Sequence, residues 1–478
     1  MIKNNKYKIL TPTTLIIFGA TGDLVRRKLT AALFNLYCKG FMPDIFQIIG
    51  FSRRDYTDEQ YRNFLIKEAI KDIEIKYSKE DLTGFLNKII YQKGFFGDTG
   101  AYKNIRHKLN ENGNVLNMCA NKLYYLAVPP NFYLEILNNL SVSGLTLSCS
   151  DEAGWTRILI EKPFGRDINT AIKLDDILAK LFKEEQIYRI DHYLAKDTIR
   201  NIIFFRFSNV IFESLWNSKF IEKVEIKLLE KEDIENRGSY YDSIGALRDI
   251  GQNHLLQMLA LVTMECPESL SAGSIRKKRA EVFNSIMPIN TKKLVRQFAV
   301  RGQYEGYRNI KGVSPDSNTE TYFKIKSFLK NSRWGDVPFY LESGKALKEK
   351  RIEIVIYFRK VSKLICPDSS KNHYYQNIFT IKIYPEEGIF IRFWVKKPGL
   401  LQELEYRDFI FNYNRGMEIK AGEYEKVLLD CFGGDQTLFT STEEIRYTWR
   451  FITPVLNKWD ENELYKYKKG SVGPEVSI

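Results

Sequence analysis

Long hydrophobic runs are missing from this 478-residue chain. None approaches the ~20 apolar residues that span a bilayer, so no membrane partner is expected. The first residues, Met1-Ile-Lys-Asn-Asn-Lys-Tyr-Lys8, are polar and lack the apolar stretch of a signal peptide. Cysteine is sparse: Cys38, Cys119, Cys149, Cys266, Cys366 and Cys431 lie far apart, with no C-x-x-C pair to bind zinc. That excludes a disulfide framework, makes a metal site unexpected and fits reduced thiols in the cytoplasm. Internal repeats and low-complexity tracts are absent too. The charge is basic, with 72 Lys and Arg against 59 Asp and Glu for a net +13. The lysines are nevertheless scattered among acids and form no stripe or tail. A nucleic-acid partner is therefore not expected; the basic balance reads as a Lys/Asn/Ile-rich composition without functional meaning, with attraction of anionic small molecules as the intermediate interpretation.

What is present describes a folded protein of more than one domain. Apolar residues make up 44% of the chain and aromatics 14%, which excludes disorder, and the length suits two or three domains. The first part alternates near-continuous apolar strands with helical patterns. Strands are expected at Leu15–Phe18, Phe46–Phe51, Lys122–Val128 and Thr156–Ile160, and helices near 24–37, 58–71 and 132–140. That alternation predicts a doubly wound parallel sheet covered on both faces, an α/β domain over residues 1–190. Later the pattern changes to period two, as in Val224, Ile226 and Leu228, in Ile352, Ile354 and Ile356, and in a hairpin over Thr380–Trp394 about Glu386-Glu387-Gly388. Residues 191–478 accordingly read as an α+β domain with a mainly antiparallel sheet, interrupted by a helix near 248–264.

Gly19-Ala20-Thr21-Gly22-Asp23-Leu24 follows the first strand and opens a helix. Glycines at such a turn let a phosphate approach the free N–H groups of the helix start, which predicts a dinucleotide site. The second strand ends in Gly50-Phe-Ser-Arg53-Arg54, with no acid before Asp55. An acid there would hold the ribose 2′-hydroxyl of NAD, whereas arginine suits a 2′-phosphate. NADP is thus expected, with Arg53 as its ligand and Arg54 as the alternative. Two arginines on a solvated loop are the competing interpretation.

Lys162, in Glu161-Lys-Pro-Phe-Gly165, ends a parallel strand and so points to the ligand crevice. In Arg189-Ile-Asp-His-Tyr-Leu-Ala-Lys196, a helical backbone would place His192 and Lys196 at i, i+4, able to meet one anion. Only four histidines occur. His254, in Arg248-Asp-Ile-Gly-Gln-Asn-His254, leads into an apolar helix and is the candidate general base for a carbinol proton. A carboxylate must orient its ring. Asp249, five positions away, is poorly placed on one helix, and Asp191 reaches it only through the fold. His107 and His373 lie in polar stretches and read as surface residues.

Taken in order, the glycine turn at 19–24, Glu161-Lys-Pro-Phe-Gly165, Arg189-Ile-Asp-His-Tyr-Leu194 with Lys196, Arg248-Asp249 and Gln252-Asn-His254 resemble the glucose-6-phosphate dehydrogenase family. The likeness continues through Arg301-Gly-Gln-Tyr304, Val337-Pro-Phe339, Ser343-Gly-Lys-Ala-Leu347 and Gly470-Ser-Val-Gly-Pro474, and so covers nearly the whole chain. It implies oxidation of β-D-glucose 6-phosphate at C1 to the 1,5-lactone with NADP+ as acceptor, the first oxidative step of the pentose phosphate pathway. By the resemblance, His254 is the base and Asp191 orients it. His192, Tyr193 and Lys196 hold the phosphate, Lys162 lies between sugar and nicotinamide, and Glu230, Asp249, Lys345 and Lys350 bind the sugar. Gly19, Ala20, Thr21, Gly22, Asp23, Leu24 and Arg53, with Lys28 as an addition, hold the cofactor. A homodimer or dimer of dimers is implied. Ala195, Gly251 and Ala31 depart from the family pattern, Gly251 at about 1 kcal/mol of helix propensity. A binding protein that has lost catalysis is the alternative, and it requires a missing reacting group.

Overall fold

The computed structural model describes residues 11–70, 76–116, 119–148, 154–360, 375–401, 403–412, 421–476 and 478. The first sheet contains β1 (Thr13–Phe18), β2 (Phe46–Ser52), β3 (Ile89–Lys93), β4 (Asn121–Leu126), β5 (Thr156–Ile160) and β6 (Ile187–Ile190). Their spatial order is β3-β2-β1-β4-β5-β6, all parallel, and the two-residue strand Phe439–Thr440 adds antiparallel to β6. This is the doubly wound order, with its switch point between β1 and β4. All six residues of β1 are buried, as helices on both faces require.

The four strands expected from apolar runs are present. Two others, β3 and β6, carry polar residues that hid them. In β6, Arg189 is buried by Asp175 at 2.9 Å, Glu184 at 3.1 Å and the Thr442 hydroxyl at 2.7 Å. The edge strand at Phe439 also means that the first sheet is not made wholly from residues 1–190. The helix expected near 58–71 is a capped α-helix, Asp58–Leu65, followed by a π turn to Ile70; Lys71 lies outside the described residues.

The second sheet has β7 (Ile221–Leu229), β8 (Ala299–Tyr304), β9 (Tyr322–Ser327), β10 (Phe339–Gly344), β11 (Arg351–Phe358), β12 (Ile378–Tyr384), β13 (Gly388–Lys396) and β14 (Leu404–Asn412). With the terminal strand Leu464–Tyr467, the order is β14-β13-β12-β11-β7-β10-β9-β8 and then that strand. β7 with β10, and β8 with the terminal strand, are parallel; the other neighbours are antiparallel. Val224, Ile226 and Leu228 are buried, whereas Lys223, Glu225 and Lys227 form ion pairs on the other face, which is the origin of the period-two pattern. The hairpin about Glu386-Glu387-Gly388 joins β12 to β13 as expected. At the far edge, β14 exposes Tyr406, Phe409, Ile410 and Phe411, and Phe393 is exposed beside it on β13. Among the described residues no helix is long and apolar enough to cross a membrane.

Candidate active site

β6 delivers the first half of the site. Immediately after it, the Asp191 carboxylate accepts the Tyr193 N–H at 3.0 Å and caps a tight 3₁₀ turn, His192–Ala195. That cap corrects the expected helical spacing of His192 and Lys196. The turn closes every three residues and ends at Ala195, and Lys196 is extended (φ −69°, ψ 134°) before the helix Asp197–Phe207. Lys196 remains close enough to His192 to help depress its pKa.

The second half is the helix expected near 248–264, and its geometry changes one argument. Leu247–Leu255 is π-helical and Leu256–Thr263 is α-helical. In a π turn the repeat is i→i+5, so Asp249 and His254 share a face where a 3.6-residue helix would part them. Gly251 lies between them. A Cβ there would stand 2.7 Å from Leu247 Cδ1 and 2.8 Å from Phe323 Cζ, so its absence admits the β9 ring against this turn. Packing thus offsets the propensity cost read from sequence.

Between the halves, His254 Nδ1 lies 2.6 Å from Asp191 Oδ1, and both side chains are 1% exposed. Lys162, at the end of β5, places Nζ 2.8 Å from His254 Nε2, 2.9 Å from the Asp249 carbonyl and 3.4 Å from its carboxylate. An ammonium only donates and an ionised carboxylate only accepts. The ring proton therefore sits on Nδ1, and the Nε2 lone pair is the free base. The Tyr193 ring lies 4.1 Å and the His192 ring 5.0 Å from that imidazole, centre to centre.

Electrostatics keeps these groups in working states. Burial opposes ionisation of Asp191, but the His254, His192 and Lys162 charges outweigh it and hold the carboxyl at about 2. Burial pushes His254 below the usual imidazole range; Asp191 opposes that shift and Lys162 adds to it. Burial, then the charges of His254 and Lys162, carry His192 well below that range as well. For Asp249, burial is outweighed by Lys162, Lys345 and His254, and its pKa is lowered.

The remaining expected sugar residues divide. Lys345 pairs with Glu230 at 2.5 Å and lies near enough to Asp249 to act on its charge. Lys350 instead places its ammonium 4.8 Å from the centre of the Tyr384 ring. Lys196 faces a cavity of about 430 Å³ that Lys28 and Ala31 also line. Ala195 is fully buried, and its carbonyl accepts from Lys426 at 3.2 Å. His107 is exposed, as expected; His373 lies outside the described residues.

The glycine turn sits at the switch point of the first sheet. Gly19 has φ +81°, and a Cβ on it would meet the Ala127 carbonyl oxygen at 2.5 Å. Its N–H and that of Ala20 bond to Phe51 O, and the Thr21 hydroxyl meets Ser52 at 3.1 Å, tying the turn to the end of β2. Asp23 pairs with Arg26 at 2.6 Å and Arg27 at 3.1 Å. Beyond β2, Arg54 bonds the Tyr56 hydroxyl at 3.0 Å and Asp55 pairs with Lys93 at 2.9 Å. Arg53 is exposed, and among the described residues its side chain has no hydrogen-bond or ion-pair partner.

Residues 16–201 match the family model for the glucose-6-phosphate dehydrogenase NAD binding domain, and residues 203–478 match the model for the C-terminal domain of the same enzyme. The chain belongs to the glucose-6-phosphate dehydrogenase family. A glucose-6-phosphate 1-dehydrogenase of Borreliella burgdorferi is 39% identical over 472 residues, covering 96% of this chain and 95% of that protein. One from Aggregatibacter actinomycetemcomitans is 39% identical over 476 residues, covering 97% and 94%. A solved glucose-6-phosphate dehydrogenase in complex with its substrate glucose-6-phosphate superposes with a TM-score of 0.89 at 31% identity, covering 98% of this chain and 96% of that one. The Mycobacterium avium glucose-6-phosphate 1-dehydrogenase gives 0.83 at 32% identity, covering 97% and 96%.

Sequence reasoning assigned no role to Glu161, Glu423 and Tyr424. Glu161, buried beside Lys162, accepts from the hydroxyls of Tyr125 at 2.6 Å and Tyr424 at 3.3 Å, and Glu423 pairs with Lys196. Partners more than 200 positions apart leave no local signal for Glu423 and Tyr424. Glu161 was visible only as part of the Glu161–Gly165 motif.

The imidazole state predicts a pH profile. His254 must be neutral to accept a proton and burial lowers its pKa, so the acid limb of kcat/KM should have its midpoint below the ordinary value of about 6.5. Lys162 contributes to that lowering. Lys162→Gln should raise the His254 pKa and move the limb to higher pH; a limb that stays in place or moves down would show that the ammonium does not act on the imidazole.

Proposed function

We propose that this protein oxidises β-D-glucose 6-phosphate at C1 to 6-phosphoglucono-1,5-lactone, using NADP+. The observation that carries this reading is the buried Asp191–His254 pair, whose Nε2 faces Lys162 at the carboxyl ends of the parallel strands. Family membership supports it, as does the similarity to a dehydrogenase described with glucose 6-phosphate bound.

In this mechanism the C1 hydroxyl takes the place of Lys162 at Nε2, and His254 removes its proton. Asp191 holds the ring in the Nδ1–H tautomer and stabilises the imidazolium that forms. Lys162 bridges sugar and cofactor, Asp249 and the Glu230–Lys345 pair accept and donate bonds to the sugar hydroxyls, and Lys350 is a further sugar ligand. His192, Tyr193 and Lys196 hold the phosphate. Lys28, which lines a cavity with Lys196, is an additional cofactor ligand by the family pattern. The catalytically silent alternative needs an absent reacting group, and His254, Asp191 and Lys162 are all in place.

The residues present fit a dinucleotide: the turn from Gly19 through Leu24 follows β1 at the switch point of the parallel sheet and opens a helix. When bound, the nicotinamide supplies the acceptor for the hydride leaving C1. Arg53 is favoured over Arg54 as ligand of a 2′-phosphate because Arg54 and Asp55 are already engaged. The exposed aromatic edge of β14 supports a homodimer or dimer of dimers, since an apolar strand edge left in water invites pairing.

His254→Asn should lower kcat by roughly 10²–10⁴ with little change in KM. Unchanged turnover would remove the base. Arg53→Ala should lower kcat/KM for NADP+ by more than about tenfold while sparing NAD+; equal losses for both cofactors would refute the 2′-phosphate role. Light scattering should give a dimer or tetramer mass, shifted toward monomer by Phe409→Lys. A monomeric unmodified protein would contradict the role of that edge.

A further inference from the structure

The Lys196 ammonium already has an anionic partner. It forms an ion pair with the Glu423 carboxylate and lies 5.4 Å from the centre of the Tyr193 ring. Both members are only partly exposed, at 19% and 28%, and both line the cavity of about 430 Å³. Other charged groups of that cavity are engaged elsewhere: Lys426 with Asp197 at 2.7 Å, Glu425 with Lys39 at 2.6 Å, and Glu387 with the Thr198 hydroxyl at 3.0 Å. Lys28 lines the same wall with no side-chain hydrogen-bond or ion-pair partner among the described residues.

Glu423 is anchored where it stands. It begins the helix Glu423–Gly433, and the next three side chains hold that first turn: Tyr424 to Glu161, Glu425 to Asn35 at 2.9 Å and to Lys39, and Lys426 to Asp197. The backbone that carries this carboxylate is therefore held in place when another anion arrives. A phosphate seated on Lys196 would face it at ion-pair range in a partly desolvated pocket, where like charges repel more strongly than in bulk water.

We propose that Glu423 is a resident counter-ion that the sugar phosphate must displace from Lys196, and that it thereby sets how tightly the enzyme holds phosphorylated sugars. Phosphate binding is then an exchange of partners rather than addition to a free cation. Glu423 keeps Lys196 neutralised in the empty site and weakens the occupied one. The inference rests on the reading of Lys196 as a phosphate ligand.

The test measures two constants, KM for glucose 6-phosphate and the competitive inhibition constant of inorganic phosphate, in full-length Glu423→Gln, Glu423→Ala and Lys196→Gln. Lys196→Gln should raise both at least about tenfold, the loss of one charge-assisted hydrogen bond. Both Glu423 variants should lower them about two- to fivefold, the scale of a partly exposed ion pair. KM for free glucose, which has no phosphate, should move less than about twofold. If Lys196→Gln leaves both constants unchanged, the phosphate reading fails and the counter-ion proposal with it. If Lys196→Gln raises them but the Glu423 variants raise them too or leave them alone, the phosphate reading stands. Glu423 would then be a positioning group for Lys196, and the competition would be overturned.

Discussion

The bond between the Asp191 carboxylate and the His254 imidazole is the constraint around which the two sheets are assembled. A charge so deeply buried is tolerated only with its partners in place: the Nδ1–H, the Tyr193 N–H and the nearby cations. Removing one member of such a pair typically costs about 3–5 kcal/mol, because the other is left buried and unpaired. The pair also sets the tautomer that leaves Nε2 free. One interaction thus closes the contact between β6 and the π-helical turn and leaves the Nε2 lone pair able to accept a proton.

A second layer of contacts keeps that arrangement rigid. The first turn of the helix Glu423–Gly433 reaches three separate elements: the helix after the glycine turn through Lys39, the end of β5 through Glu161, and the start of the helix Asp197–Phe207 through Lys196 and Asp197. The glycine-turn side, the end of β5 and the segment after β6 therefore share one support. Arg189 plays a similar part behind the site, where its buried guanidinium joins β6 to Asp175 and Thr442. Reaction geometry needs such support, because small displacements of a base or donor are costly to rate.

Much of this was legible in the residues. Apolar runs and turns gave away four of the six parallel strands, and Gly19 to Leu24 announced a nucleotide turn because only glycine accepts its backbone there. The motifs around Lys162, Asp191 and His254 named the chemistry. Illegible were β3 and β6, whose polar residues interrupt the apolar runs. So were the 3₁₀ turn that separates His192 from Lys196 and the π turn that unites Asp249 with His254. Both depart from a 3.6-residue period, and both depend on capping and packing contacts, such as the Phe323 ring against Gly251.

Local chemistry alone determined which side chains can bind phosphate, abstract a proton or admit a dinucleotide, because these are properties of residue type and near-neighbour backbone. Only the folded molecule decided which of them meet. Asp191 over Asp249 as the partner of His254 and Glu423 as the anion on Lys196 follow from contacts across long sequence separations, which packing of the two sheets and their helices brings within bonding distance.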